Sequence, residues 1–284
     1  MNYEIKNKAY GKINLYLKIL NKREDGYHDI DTLMQKIDLY DDVYIKKNNR
    51  NILNITCNDE TIPTDETNLV HKVWDIMKEI KRDKFGIDVH IEKRIPSAAG
   101  LAGGSSDAHS MFVGLNEIWE LGMKDDELAE LSKKIGADLP FFFGENTMRG
   151  IGIGNELSVV NELPSYNILI VNNGKPLSSG EIYSKLDIVP NKFDYEAVID
   201  YYSKRNFNEL RKESLNDMES TSMGIYPEIE EIKQKMYKLG SNLSLMSGSG
   251  PTVYGIFEDE EKLEKAYEYF SKQYPNVYHS KTLN

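Results

Sequence analysis

Apolar and polar residues alternate in four early stretches: "KINLYLKIL" (12–20), "DDVYIKK" (41–47), "NILNITC" (51–57) and "GIDVHIEKRI" (86–95). A period of two marks β-strands, and the pieces between them are rich in turn residues, so the first part of the chain is expected to form a strand-rich sheet. Over Asn68–Lys81 the period lengthens. Leu69, Val73, Ile76 and Ile80 recur at three to four residues behind a Thr67-Asn68 start, which predicts a helix. Ala108, Met111, Phe112, Leu115, Ile118 and Trp119 form a second helical stripe, expected to begin where a run of glycines stops. A third helix is predicted from Asp125 through Leu128, Leu131 and Ile135, with Gly136 as a left-handed C-terminal cap.

Beyond "NELPSYNILIVNNGKP" (161–176) the pattern turns to helices, in "DYEAVIDYYSKRNF", "YPEIEEIKQKMYKLG" and "DEEKLEKAYEYFSKQY", with short strands at "NLSLM" and "TVYGIF". Separate runs of strand and helix predict α+β layers rather than a doubly wound sheet. The change of pattern places a domain boundary near residue 162, giving domains 1–162 and 163–284, and neither half carries a repeat of solenoid length.

Composition narrows the function classes. With 46 acidic and 35 basic residues in 284, the formal charge is −11. A broad grip on nucleic acid or on an anionic lipid surface is therefore not expected, and a phosphate ligand needs a local device. No apolar run approaches the roughly 20 residues of a membrane span. Cys57, the single cysteine, cannot form an internal disulfide, and residues 1–19 lack the pattern of a secretory signal, so a reducing cytoplasm is expected. The five histidines are scattered and make no HExxH, so a zinc site is not expected.

The candidate chemistry begins at "IPSAAGLAGGSSDAHSMF" (95–112), which reads as strand, glycine loop and helix. Such a loop is either a plain turn or a cradle whose free amides at the helix start face an anion, with Ser105 and Ser106 as hydroxyl partners for a phosphate or a divalent cation. No lysine follows Gly104, which excludes the P-loop, and "GIGIGN" (150–155) lacks the third glycine of a dinucleotide fingerprint and reads as a strand bend or turn. "SGSG" (247–250) reads as a tight hairpin or as a second loop closing on the first. Asp138, in "IGADLPFF", is an ordinary turn aspartate or a general base. Lys12 alternates with Ile13, Leu15 and Leu17, which puts it on a polar face with Asn14 and Tyr16, where most lysines are solvated.

Together these pieces resemble the GHMP kinase superfamily. "PSAAGLAGGSSDA" resembles its glycine-rich phosphate loop, and "SGSGPTVYGIF" its C-terminal motif. Within the superfamily, "AYGKINLYL", "REDGYHDIDTLMQKIDL" and "IGADLPFF" are similar to the kinases that phosphorylate the 2-hydroxyl of a cytidine-diphosphate-linked methylerythritol in non-mevalonate isoprenoid synthesis. The resemblance runs from about Ala9 to Phe257. It implies a ribosomal-protein-S5-like N-terminal domain, a ferredoxin-like C-terminal domain, ATP and Mg2+, and a small-molecule substrate handled by a monomer or homodimer.

By the same resemblance Lys12 and Asp138 are catalytic, the lysine orienting the acceptor hydroxyl and the aspartate taking its proton. Gly100, Leu101, Ala102, Gly103, Gly104, Ser105 and Ser106 meet the phosphates, Ser106 meets the metal, and Asn68 and Lys93 meet the adenosine side. Asn14 holds the erythritol chain, Tyr27 and Tyr183 sandwich the cytosine, His28 bonds its polar edge, and Ser179 contacts a substrate phosphate. Two residues depart from the family pattern. Ala102 replaces a glycine and is harmless only at negative φ, and His109 replaces a small residue, where it either crowds the cleft or points to solvent. The alternatives are a kinase for another small alcohol and a non-catalytic ligand sensor on the same fold.

Overall fold

The computed structural model describes residues 3–80, 85–161, 163–188, 193–213 and 215–284. Lys81, the last residue of the first predicted helix, and residue 162, the predicted boundary, lie outside the described residues. Two long strands, β1 (Ile5–Lys22) and β2 (His28–Asn48), pair with each other. Both pass through two compact units, one made of Met1–Gly11, Leu39–Ser97 and Ala102–Glu145, the other of Lys12–Asp38, Ala98–Leu101 and Asn146–Asn284.

In the first unit, β3 (Leu53–Cys57) runs parallel to β4 (Gly86–Glu92), and β4 runs antiparallel to the C-terminal half of β2, with Val43 opposite Ile91. α1 (Leu69–Met77), α2 (Gly103–Ile118) and α3 (Asp125–Ser132) accompany this sheet, followed by a 3-10 turn at Pro140–Phe143. The predicted stripes of α1 and α2 reach the core, where Val73, Met111, Phe112 and Leu115 pack with Ile45, Val89 and Ile91, joined by Met77, which the stripe did not include, while the predicted Ile80 lies past the end of α1 and is exposed. Gly136 is not the left-handed cap expected of it. α3 ends at Ser132, and the chain continues through right-handed turns, with the Ile135 amide donating to the Ser132 carbonyl (2.9 Å), so no positive φ is needed.

In the second unit, the N-terminal half of β2 pairs with β5 (Thr147–Gly152), which forms a hairpin with β6 (Glu156–Val159). "GIGIGN" (150–155) ends β5 and makes the turn of that hairpin, with positive φ at Gly152 and Gly154. The other sheet, in order β10-β7-β9-β8, comprises β7 (Asn167–Asn172), β8 (Leu243–Met246), β9 (Val253–Phe257) and β10 (Asn276–Lys281). α4 (Ser179–Lys185), α5 (Tyr195–Ser203), α6 (Phe207–Leu210), α7 (Glu219–Ile225) and α8 (Glu228–Lys238) separate β7 from β8, and α9 (Glu260–Phe270) separates β9 from β10. Strand, helices, two strands, helix and strand in this spatial order is the ferredoxin-like arrangement expected for the C-terminal half. Its core joins Leu169 and Val171 to Ile229, Ile232, Met236 and Phe270. No helix among the described residues is long and apolar enough to cross a membrane.

Alternation in β1 gives the strand but misplaces its polar face. Lys12, Asn14, Tyr16 and Lys18 are as buried as the apolar residues between them. The tyrosine hydroxyls of Tyr254 and Tyr202 donate to the Asn14 and Leu15 carbonyls (3.0 and 2.6 Å), so α5 and β9 reach the strand's main chain and help to enclose it. A strand covered on both faces carries its polar residues inward, and each then needs a partner.

Candidate active site

The candidate residues fall into two sets, one in each unit. In the first unit the phosphate loop becomes helix earlier than expected. α2 starts at Gly103, so Gly103 and Gly104 form its first turn. A Cβ on Gly103 would stand 2.9 Å from the Ile95 side chain, so glycine is the residue that lets the helix start lie against the end of β4. Gly104 is exposed, and a Cβ there would meet nothing closer than Leu69 at 3.8 Å, which leaves its outer side open. Ala102, the N-cap, has φ +53 and ψ +31 and offers no side-chain cap, so the condition under which its methyl is harmless is not met. The first-turn amides have no intrahelical acceptor and carry the positive end of the helix dipole. The Ser106 hydroxyl, 1% exposed, has no hydrogen-bond partner among the described residues, and neither has Asp107 Oδ1.

Beneath this turn lies a buried charge cluster. Lys93 Nζ donates to Asp41 Oδ2 (2.5 Å) and Asp107 Oδ2 (2.8 Å), and would stand 3.2 Å from a Cβ on Gly103. Asp41 Oδ1 also accepts the amides of Arg94 (2.5 Å) and Ile95 (2.8 Å), fixing the chain as it enters the loop. Burial pushes the Asp107 carboxyl up to about 7, opposed by Lys93 and reinforced by the Asp41 charge. Burial alone would lower the Lys93 ammonium, but the two carboxylates outweigh it and raise it. The proton therefore belongs to Lys93, and Asp107 is hard to ionise.

Asn68 and Lys93, expected on the adenosine side, both flank the loop but hold structural bonds. Asn68 caps α1, accepting from the Val70 amide (2.9 Å) and donating to the Pro63 carbonyl (2.7 Å). Lys93 spends its ammonium on the two aspartates, while its amide donates to Asn58 Oδ1 (2.7 Å) and its carbonyl accepts from Asn58 Nδ2 (3.2 Å). Asp138 is half-buried in the turn directly before Pro140–Phe143. His109 is half-buried, and its ring packs edge-on against Phe143 (4.5 Å), bracing the turn that carries Asp138 against α2.

In the second unit, Gly100 has φ +76, and a Cβ there would stand 2.1 Å from the Ser247 carbonyl oxygen. "SGSG" is at once the connection between β8 and β9 and a loop closed on the first: Ser247 Oγ donates to the Gly100 carbonyl (2.9 Å) and accepts the Asn14 amide (3.3 Å). The Lys12 amide donates to the Leu101 carbonyl (3.0 Å). Lys12 Nζ, on a residue only 4% exposed, donates to Asn14 Oδ1 (2.7 Å). Ser179, at the start of α4, shares a hydrogen bond with Ser249 (2.8 Å), tying the predicted substrate segment to the same loop.

The aromatic residues are arranged differently from the expected sandwich. The His28 ring stacks on Tyr183 at 5.0 Å and 22°, so one face of Tyr183 is covered by the histidine. Burial, with a contribution from Lys22, lowers the His28 pKa and keeps the ring neutral, able both to donate and to accept. Tyr27 is 61% exposed while its amide and carbonyl are held in the turn by Asp25 (3.0 Å) and Arg23 (2.8 Å), which leaves an exposed ring on a fixed main chain.

Comparison with known proteins decides the family. Residues 68–145 match the GHMP kinases N terminal domain and residues 199–276 the GHMP kinases C terminal domain. A 4-diphosphocytidyl-2-C-methyl-D-erythritol kinase of Finegoldia magna is 39% identical over 279 residues, covering 98% of this chain and 100% of the relative. One from Thermoanaerobacter pseudethanolicus is 42% identical over 283 residues, covering 99% and 97%. The chain belongs to the 4-diphosphocytidyl-2-C-methyl-D-erythritol kinase family of the GHMP kinases. A crystal structure of a 4-(cytidine 5'-diphospho)-2C-methyl-D-erythritol kinase superposes with TM-score 0.81 at 25% identity, covering 99% and 100% of the two chains. The Methanococcus jannaschii mevalonate kinase shares the fold, with TM-score 0.72 at 14% identity over 100% and 99%.

In this GHMP kinase, sequence reasoning missed Thr32, Asp41 and Asp107, whereas Ser247 lies in the "SGSG" stretch it had read as a hairpin or a loop closing on the first. The "YDDV" acidic pair opening one predicted strand, and "EKR" closing another, held the signal for the charge cluster, because the two ends become neighbours when the strands pair antiparallel.

Proposed function

We propose that this chain transfers the γ-phosphoryl group of ATP to the 2-hydroxyl of 4-diphosphocytidyl-2-C-methyl-D-erythritol, a step of the non-mevalonate route to isopentenyl diphosphate. The observation that carries the proposal is full-length identity of about 40% to kinases of that name, joined to Lys12, Tyr27, His28, the loop 100–106 and Asp138 at the matching motifs. In this reading residues 1–162 serve nucleotide binding and 163–284 form the C-terminal domain, a division of the sequence distinct from the compact units.

Phosphoryl transfer asks the protein mainly for positioning and charge stabilisation. The amides of Gly103, Gly104 and Ser105 receive phosphate oxygens, with Gly100, Leu101 and Ala102 shaping the approach. The adenosine side lies by Asn68 and Lys93, whose hydrogen-bonded heads leave methylene and main-chain surface as the contact. Asp138 accepts the proton of the 2-hydroxyl and Lys12 orients that hydroxyl and favours its ionised form. Asn14 holds the erythritol chain, Ser179 a substrate phosphate, and Tyr27, Tyr183 and His28 the cytosine.

Magnesium fits this chain. The buried, unpartnered Ser106 Oγ and Asp107 Oδ1 are hard oxygen donors, and Mg2+ beside a nucleotide takes only one or two protein ligands. Among the described residues no group of three or more His, Cys, Asp or Glu side chains is placed to hold a metal. Bound there, the ion would offset charge on the phosphates. The setting is cytoplasmic and the partner a small molecule.

A coupled ADP-release assay tests the substrate. The cytidine-linked methylerythritol should turn over, and mevalonate, homoserine and galactose should not. Turnover of one of these alone would transfer the assignment to another small-alcohol kinase, and no ADP release with any of them would favour a sensor.

A further inference from the structure

Lys12 sits at one end of a buried chain of hydrogen bonds that sequence reasoning did not reach. Its ammonium donates to Asn14 Oδ1 (2.7 Å), Asn14 Nδ2 donates to Thr32 Oγ1 (2.8 Å), and Thr32 Oγ1 donates to the Tyr16 carbonyl (2.7 Å). Thr32 is 1% exposed and lies on β2 opposite Gly150 of β5, and its hydroxyl is held by these two bonds.

The direction of each bond follows from the inventory of protons. A carbonyl oxygen only accepts, so Thr32 must give its single proton to Tyr16, which leaves only lone pairs for Asn14. The Asn14 amide must then turn its NH2 toward Thr32 and its oxygen toward Lys12. An ammonium only donates, so it requires that same orientation. The main chain of Asn14 is fixed as well, by Ser247 at its amide (3.3 Å) and Tyr254 at its carbonyl (3.0 Å).

We propose that Thr32 is a positioning residue for phosphoryl transfer: through the Asn14 amide it fixes the direction of one N–H of the Lys12 ammonium, and with it the rotation of that group. This rests on the reading of Lys12 as catalytic. Thr32 touches neither the ammonium nor, in this proposal, the substrate. Its effect should therefore appear in kcat and leave the KM for ATP alone.

The test is steady-state ADP release with ATP, Mg2+ and the cytidine-linked methylerythritol, on Thr32→Val, Thr32→Cys and Thr32→Ser, alone and combined with Lys12→Met, with thermal melts of each. Thr32→Val and Thr32→Cys remove the strong acceptor at nearly constant volume and should lower kcat about tenfold. Thr32→Ser, which keeps the hydroxyl, should restore it. On a Lys12→Met background, Thr32→Val should cost less than about twofold, because its route of action is gone. Equal losses on both backgrounds, or full kcat in folded Thr32→Val and Thr32→Cys, would overturn the proposal. Full turnover by Lys12→Met itself would instead sink the catalytic reading on which it rests. If Thr32→Val does not fold, Thr32→Cys and the serine rescue decide.

Discussion

Lys93 and Lys12 are both buried lysines, each in a different unit, and the bonds described for them differ. Lys93 lies between two carboxylates at 2.5 and 2.8 Å, whereas Lys12 donates to the neutral amide of Asn14 at 2.7 Å. An ammonium clasped between the Asp41 carboxylate and the Asp107 carboxyl is held in place by a strong field and helps the chain keep its shape. One bonded to a neutral amide takes its direction from a dipole, whose field at that bond is weaker than a carboxylate's. Burial of a lysine is therefore not itself a functional mark, since the same burial accompanies different bonds in the two units.

The largest effect that could break this comparison is on stability. Lys93→Met leaves the buried Asp41 carboxylate without its cation and the Asp107 carboxyl without its donor, and should lower unfolding free energy by about 3 to 5 kcal/mol. Lys12→Met takes the donor from the Asn14 amide oxygen and should cost about 1 to 2 kcal/mol for that bond. Denaturant melts of the two variants read this directly, and equal losses would erase the distinction.

A smaller effect concerns Asp107. Its carboxyl is held at about 7, above the ordinary 3.8. Between those values the folded chain keeps a proton that the unfolded chain has released, so this group's contribution to stability is complete below about pH 4 and lost as pH rises through about 7. Asp107→Asn does not titrate and should flatten that part of the stability curve. An unchanged slope from pH 4 to 7 would place the proton elsewhere.

The smallest effect sharpens the loop itself. Ala102 holds a left-handed conformation at φ +53 that costs an alanine about 1 to 2 kcal/mol. Ala102→Gly relieves it and, after the larger entropy of glycine in the unfolded chain, should raise stability by about 0.5 to 1 kcal/mol. Melting temperatures of the pair measure this, and a loss on substitution would contradict the strained cap.

The sequence announces features whose cause is local. Alternation marks β3, β4, the middle of β1 and the C-terminal end of β2, three-to-four spacing marks α1 and α2, and motif likeness picks out Lys12, Asp138 and the loop 100–106. Features set by distant chain are silent. Period two cannot tell that β1 is enclosed on both faces, so it reads Lys12 as solvated. The clasp on Lys93 joins residues 52 and 14 positions away, and the Ser247–Gly100 bond spans 147. The hydroxyl of Thr32 looks like any threonine in a strand until its acceptor on β1 is known. Helix starts were misjudged at Gly103 because propensity disfavours glycine there, while the side chain of Ile95 leaves no room for anything larger.

The central claim is that Asp138 takes the acceptor proton while the glycine loop holds the nucleotide independently of it. Single-turnover phosphoryl transfer by Asp138→Asn, measured alongside ATP affinity on the same preparation, separates the two. The account predicts transfer slower by about 10²- to 10⁴-fold, roughly 3 to 5 kcal/mol of transition-state stabilisation, with ATP affinity unchanged within about twofold. Transfer at the parent rate, or a loss of ATP affinity that accounts for the whole decrease, would contradict it.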